Sequence, residues 1–242
     1  MLPEPLIRFP RLGTVTGAAY HPPVPQTRAA ATVVLLTDSD EGPRVLLTRR
    51  DGGMEFMGGF WVFPGGSVEP ADGDAGTVDA ARHAAVRETE EEVGLVVDAP
   101  DLIEWSHWEP PPDYERRFAT WFFVGRAPAG DVVLDEREAR AYAWWRPADV
   151  LAARDRGEVK LAPPTWVTLH DLARFRRVDD ILDFARTTEA EFFMTKLRTV
   201  DGGHIAMWEG DIAYVDDDAL HREGGRRRLW MLESGWSYER TS

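Results

Sequence analysis

Three glutamates, Glu88, Glu91 and Glu92, close the segment Val78 to Val93, and Gly94 follows directly. The spacing predicts a helix over 78–93 with Gly94 as its C-cap. At about 100° per residue the three carboxylates fall within an arc of about 100°, whereas Glu90 points to the opposite side. Ala80, Ala81, Ala84 and Ala85 share that stripe. Such a helix presents small side chains first and acids last, so it can lie close on a sheet with its acidic end near a backbone loop. Like charges at this spacing repel, and at a helix C-terminus they also oppose the macrodipole. The cluster therefore calls for a cation, and a hard divalent ion with oxygen ligands, Mg²⁺ or Mn²⁺, is the natural partner. Taken alone, an acidic run is more often a solvated helix face.

The preceding chain supplies a sheet and a loop. The runs ATVVLLT (31–37) and RVLLTR (44–49) flank the turn-forming DSDEGP and read as two strands. A third apolar stretch, 60–63, ends at Pro64-Gly65-Gly66, where proline cannot donate to a ladder and glycine permits close approach. Further strands are expected at 117–124 and 141–145. Helices are expected from Pro147, over 164–175 and over 178–185. The segments HIAMW, DIAYV and RRRLWML read as short strands near the C-terminus.

Composition excludes several function classes. With 42 acidic residues against 28 basic, the net charge of −14 disfavours nucleic acid and anionic membrane as partners. The chain has no cysteine, so disulfides, thiolate zinc sites and a cysteine nucleophile are ruled out. The start MLPEPLIRFPRLG is broken by three prolines and holds no apolar run of signal-peptide length, and no stretch has membrane-span length. A cytoplasmic protein is expected. There is no G-x-x-x-x-G-K-[ST] phosphate loop.

The order Gly-Gly, spacer, R-E-x-x-E-E-x-G, aliphatic residue resembles the box of the Nudix hydrolases, which cleave nucleoside diphosphates linked to another group. Gly66 matches the box glycine, Arg87 the arginine, Glu88 the adjacent acid, Glu91 and Glu92 the metal-binding pair, and Gly94-Leu95 the ending. Gly66 and Arg87 lie 21 positions apart, seven more than in the standard box. Counted back from Arg87, Asp79 falls where the box has a glutamate. The longer acidic loop looks like the coenzyme A branches of the family. Leu46-Leu47-Thr48-Arg49-Arg50, Gly59 and Phe63-Pro64-Gly65-Gly66 match their upstream signature, but Asp51 replaces a small residue and Glu55 an arginine.

The resemblance implies an α/β (α+β) fold, a Nudix-type α/β/α sandwich with a mixed sheet, extended at the C-terminus by helical and β-rich chain. The expected division is an arm over 1–29, a Nudix hydrolase domain over 30–175 and an extension of unknown role over 176–242. It implies a metal-dependent diphosphatase acting on a small-molecule diphosphate, with coenzyme A or an acyl-coenzyme A as the candidate, and homodimerisation is common among such folds. Glu88, Glu91, Glu92 and the Gly66 carbonyl would hold Mg²⁺ or Mn²⁺, and Arg87 would orient a neighbouring carboxylate. The general base is open between Glu88, Glu136 and Glu138. Arg49, Arg50, Arg116 and Arg117 are the candidate substrate contacts. The alternative is a non-catalytic sensor or binding module on the same fold.

Overall fold

The computed structural model describes residues 27–53, 57–112, 114 and 117–241. Arg116, Glu55 and most of the expected N-terminal arm lie outside the described residues. The first strand, β1 (Arg28–Thr37), is buried along most of its length and forms the middle of a mixed sheet. It runs parallel to β6 (Phe118–Arg126), from Arg28 opposite Phe118 to Leu36 opposite Arg126. Beyond β6 lies antiparallel β5 (Ile103–Glu109), and then β8 (Glu191–Met194), parallel to β5.

The other edge of β1 is shared, and this sharing positions the site. β2 (Arg44–Arg50) pairs antiparallel with Leu36 and Thr37, whereas β4 (Gly65–Ser67) pairs with Ala30 to Thr32. Pro64 lies between them, its carbonyl accepting from Val33 N–H at 2.9 Å and Thr32 Oγ1 at 2.6 Å. β3 (Trp61–Val62) pairs with Thr48 and Arg49 of β2, and β7 (Ala139–Trp145) runs along the opposite edge of β2 from Val45 to Arg50.

One face of the sheet is covered by α1 (Val78–Val93). Thr77 caps its start by accepting from Ala80 N–H at 3.2 Å, and Gly94 ends it in the left-handed conformation, φ 69°. Ala81, Ala84 and Ala85 pack on Ala31, Val33, Leu35, Leu46 and Phe123. Their lack of bulk lets the helix backbone approach the sheet.

On the opposite face lie α2 (Pro147–Asp155), α3 (Pro163–Leu172) and α4 (Val178–Thr187). Behind them is a second, antiparallel sheet of β9 (Lys196–Val200), β10 (Gly203–Met207), β11 (Arg227–Leu232) and β12 (Gly235–Arg240). Ala206, Trp208, Leu229 and Met231 from this region share one core with Val34, Leu36, Leu47 and Phe122 of the first sheet. The layering is that of an α/β sandwich with a mixed sheet and additional C-terminal β structure.

The segment DIAYV, expected as a strand, instead contains a 3-10 turn at Ile212–Tyr214. The Asp211 carboxylate accepts from Ala213 N–H at 2.8 Å, a local bond that competes with strand pairing. The same carboxylate is held by two buried bonds from Arg228, at 2.7 and 2.6 Å. Asp211 thus anchors its loop against β11 of the second sheet. Among the described residues no helix is long and apolar enough to cross a membrane.

Candidate active site

The acidic end of α1 meets the Pro64-Gly65-Gly66 loop as the small-residue stripe requires. Glu92 is 6% exposed, and its Oε2 accepts from Gly65 N–H at 3.0 Å. Glu88 lies directly against Gly66, where a Cβ would come within 2.4 Å of its carboxyl group. The two glycines serve different ends. Gly65 has φ +154°, and a Cβ there would come within 2.2 Å of the Ala31 carbonyl oxygen, so it is required by the pairing of β4 with β1.

Arg87 organises the charges around this contact. Its Nη1 donates to Glu88 Oε1 at 2.8 Å and to Glu91 Oε2 at 3.1 Å. Nη2 donates to the Ser67 carbonyl at 3.0 Å and to Asp72 Oδ2 at 2.9 Å, and Nε donates to Asp72 Oδ1 at 3.1 Å. Each of its N–H groups therefore has an acceptor. The buried partner is Asp72, not Asp79, which is exposed and pairs with Arg82 at 2.9 Å. Counting back from Arg87 thus selects the wrong aspartate. Counting six positions forward from Gly66 reaches Asp72, so the extra residues lie after this acid and before the helix. Arg87 holds the Asp72 carboxyl below its ordinary range.

Burial pushes the Glu92 carboxyl up to about 8, and the charges of Glu138 and Glu88 act in the same direction. Burial likewise raises Glu88, against the pull of Arg87. Arg50 favours the ionised form of Glu92; its own Nε is buried and has no hydrogen-bond partner among the described residues. Glu138 is brought toward the pair by the backbone: Asp135 N–H donates to the Glu92 carbonyl at 3.0 Å, and Glu138 N–H to the Asp135 carbonyl at 3.1 Å.

The fold gathers Glu88, Glu91, Glu92, Gly66, Arg87, Arg50 and Glu138 into one region. Glu136 is exposed on the turn before β7, and Arg49 is exposed on β2. The ion partner of Arg117 is Glu109, at 3.9 Å. Among the described residues, no three acidic or histidine side chains already stand in a metal-holding cluster. The donor chemistry nonetheless fits a hard cation, because Glu92 is a buried carboxylate with two acidic neighbours and an oxygen-rich surround.

A NUDIX domain profile matches residues 26–184. The chain belongs to the Nudix family. This places it among the pyrophosphohydrolases. The putative nudix hydrolase 7 of Caenorhabditis elegans is 27% identical over 236 residues, covering 81% of this chain and 77% of that protein. The acyl-coenzyme A diphosphatase NUDT19 of Xenopus laevis is 28% identical over 130 residues, covering 50% of this chain but only 34% of that protein. Among solved structures, a NUDIX hydrolase from Alicyclobacillus acidocaldarius superimposes with a TM-score of 0.61 at 24% identity. That match covers 66% of this chain and 97% of the other, and it establishes the likeness of fold.

Proposed function

We propose that this Nudix protein is a metal-dependent hydrolase that cleaves the diphosphate linkage of a nucleoside diphosphate derivative, with coenzyme A or an acyl-coenzyme A as the leading candidate substrate. The observation that carries this reading is the burial of Glu92 beside Glu88 and Glu138, which leaves a carboxylate whose ionised form needs a cation. Glu88, Glu91, Glu92 and the Gly66 carbonyl would hold Mg²⁺ or Mn²⁺. When bound, such an ion supplies positive charge at the phosphoryl oxygens and lowers the pKa of a water molecule.

The chain's own residues do the remaining work. Arg87 fixes the Glu88 and Glu91 carboxylates, and Asp72 fixes Arg87 in turn. Arg50 carries a charge with unused hydrogen-bonding capacity, which suits a phosphate oxygen. Glu138 is the general base, accepting a proton from the attacking water; it is exposed, next to the buried pair and tied by backbone to Glu92.

The coenzyme A assignment is supported by the LLTRR and FPGG segments and by the name of the Xenopus relative. Asp51 does not weigh against it as an unpaired negative charge would, because its carboxylate is paired with Arg140. The test is turnover by the full chain with Mg²⁺ or Mn²⁺ on coenzyme A, acyl-coenzyme A esters, ADP-ribose, NADH, dinucleoside polyphosphates and nucleotide sugars side by side. Preferred release of a phosphorylated product from the coenzyme A compounds is expected. Preference for another compound overturns the coenzyme A assignment, and tight binding with no turnover of any favours the sensor.

A further inference from the structure

The end of β2 and the start of β7 are joined by contacts that the mechanism above leaves unused. Arg49 stands opposite Ala141 and Arg50 opposite Ala139, so Arg140 is an extra residue at a β-bulge. Bulges re-aim side chains, and here the Arg140 guanidinium is turned onto the Asp51 carboxylate, with Nε donating to Oδ2. The other oxygen, Asp51 Oδ1, accepts from Gly53 N–H at 2.6 Å. The Asp51 backbone N–H donates to the Glu138 carbonyl at 3.1 Å. On its other side, Glu138 is tied through Asp135 to the Glu92 carbonyl. Ala139 N–H also donates to the Asp135 carbonyl, at 3.1 Å. The short segment carrying Glu138 is thus fastened at both ends, once to the acidic turn of α1 and once to Asp51.

We propose that Asp51 and Arg140 are positioning residues that hold Glu138 against the Glu88 and Glu92 pair. The proposal rests on the reading of Glu138 as general base, and neither residue is assigned contact with substrate. Asp51 occupies a place where the family signature has a small residue, so the clamp is a property of this chain's own sequence.

The test compares the full-length wild type with Asp51→Ala, Arg140→Ala, the double variant, Asp51→Asn and Glu138→Gln. Circular dichroism verifies the fold, and Arg140→Gln serves as a second probe because the arginine side chain is 57% exposed. Each single alanine variant is expected to lower kcat about 10- to 100-fold, the scale of a misplaced reacting group, with KM little changed. The double variant is expected to be no worse than either single one. Asp51→Asn keeps one acceptor oxygen, enough for Gly53 N–H or for Arg140 but not for both, and should recover only part of kcat. Hydrogen exchange across residues 131–140 should quicken in both alanine variants.

Normal kcat in both alanine variants, with Glu138→Gln inactive, overturns the clamp and leaves the base assignment standing. Full activity in Glu138→Gln overturns the base assignment. Unchanged exchange in the alanine variants overturns the clamp whatever the outcome for the base.

Discussion

Arg87 grips the Asp72 carboxylate with two parallel bonds, Nε to Oδ1 at 3.1 Å and Nη2 to Oδ2 at 2.9 Å. A two-pronged bond fixes the plane of the guanidinium as well as its position. The remaining Nη1 is thereby aimed at Glu88 and Glu91. Replacing Asp72 by Asn should cost about 1–3 kcal/mol of stability, the range for a buried charged group losing its partner. Turnover should fall as well. Asp79→Ala, on the exposed side of the helix, should change the urea midpoint and the turnover little. Equal effects of the two substitutions would show that Arg87 does not depend on Asp72.

The neighbouring glycines separate folding from activity. Gly65→Ala drives a Cβ into backbone at a positive φ, and such strain costs about 1–3 kcal/mol, read as a lower melting temperature. Gly66→Ala places its Cβ within 2.4 Å of the Glu88 carboxyl group, a side-chain end and not backbone, so the fold should survive while turnover drops about 100-fold, as for a displaced catalytic group. A Gly66→Ala protein with wild-type turnover would exclude close approach of Glu88 as a requirement.

The raised Glu92 carboxyl makes metal binding and stability depend on pH with opposite signs. In the metal-free protein its folded pKa of about 8 lies above the ordinary 4.5, so its contribution to stability is complete below about 4.5 and is lost as pH rises through about 8. A cation favours the ionised form. Mg²⁺ should therefore raise the melting temperature more at pH 8.5 than at pH 6, with chelator-treated protein as the reference. Glu92→Gln should abolish both this pH-dependent increment and metal-dependent turnover. A pH-independent Mg²⁺ increment in the wild type would remove Glu92 from the metal-binding set.

Arg50 and Arg49 are adjacent in sequence but differ in exposure, one half-buried next to Glu92 and the other exposed. Arg50→Ala should lose about 1.5–3 kcal/mol of charged hydrogen bonding to a phosphate. That corresponds to a rise in KM of roughly 10- to 150-fold. Arg49→Ala should leave KM within about twofold of wild type, as expected of an exposed charge. Equal KM values for the two variants would rule out Arg50 as the phosphate contact.

The parts of the site that were legible in the sequence are local. The stop at Gly94, the alanine stripe and the convergence of Glu88 and Glu92 follow from helical geometry and end-capping. Asp72 was obscured because the inserted residues separate it from Arg87, and periodicity says nothing about a loop. It could have been found by counting from Gly66 as well as from Arg87. β5 (IEWSHWE) lacks a continuous apolar run and owes its strand form to pairing with β6 and β8. The strand expected at DIAYV failed because Asp211 satisfies the backbone locally. Nothing in the sequence spacing reveals the bulge at Arg140, which comes from pairing between two strands distant in the chain.

The core shared by the two sheets has a consequence for how this protein is inherited and how it melts. The rings of Trp108 and Phe193 lie parallel with centroids 3.8 Å apart, and Trp208 meets both edge-on. Trp108 falls within the matched family segment, and Phe193 and Trp208 fall after it. A cut at residue 184 would therefore pass through a packed aromatic cluster and take Phe193 and Trp208 out of the core that α2, α3 and α4 share with the first sheet. The chain should unfold in a single cooperative transition, and substitutions in the last sheet should be answered by compensating changes on the far side of the stack.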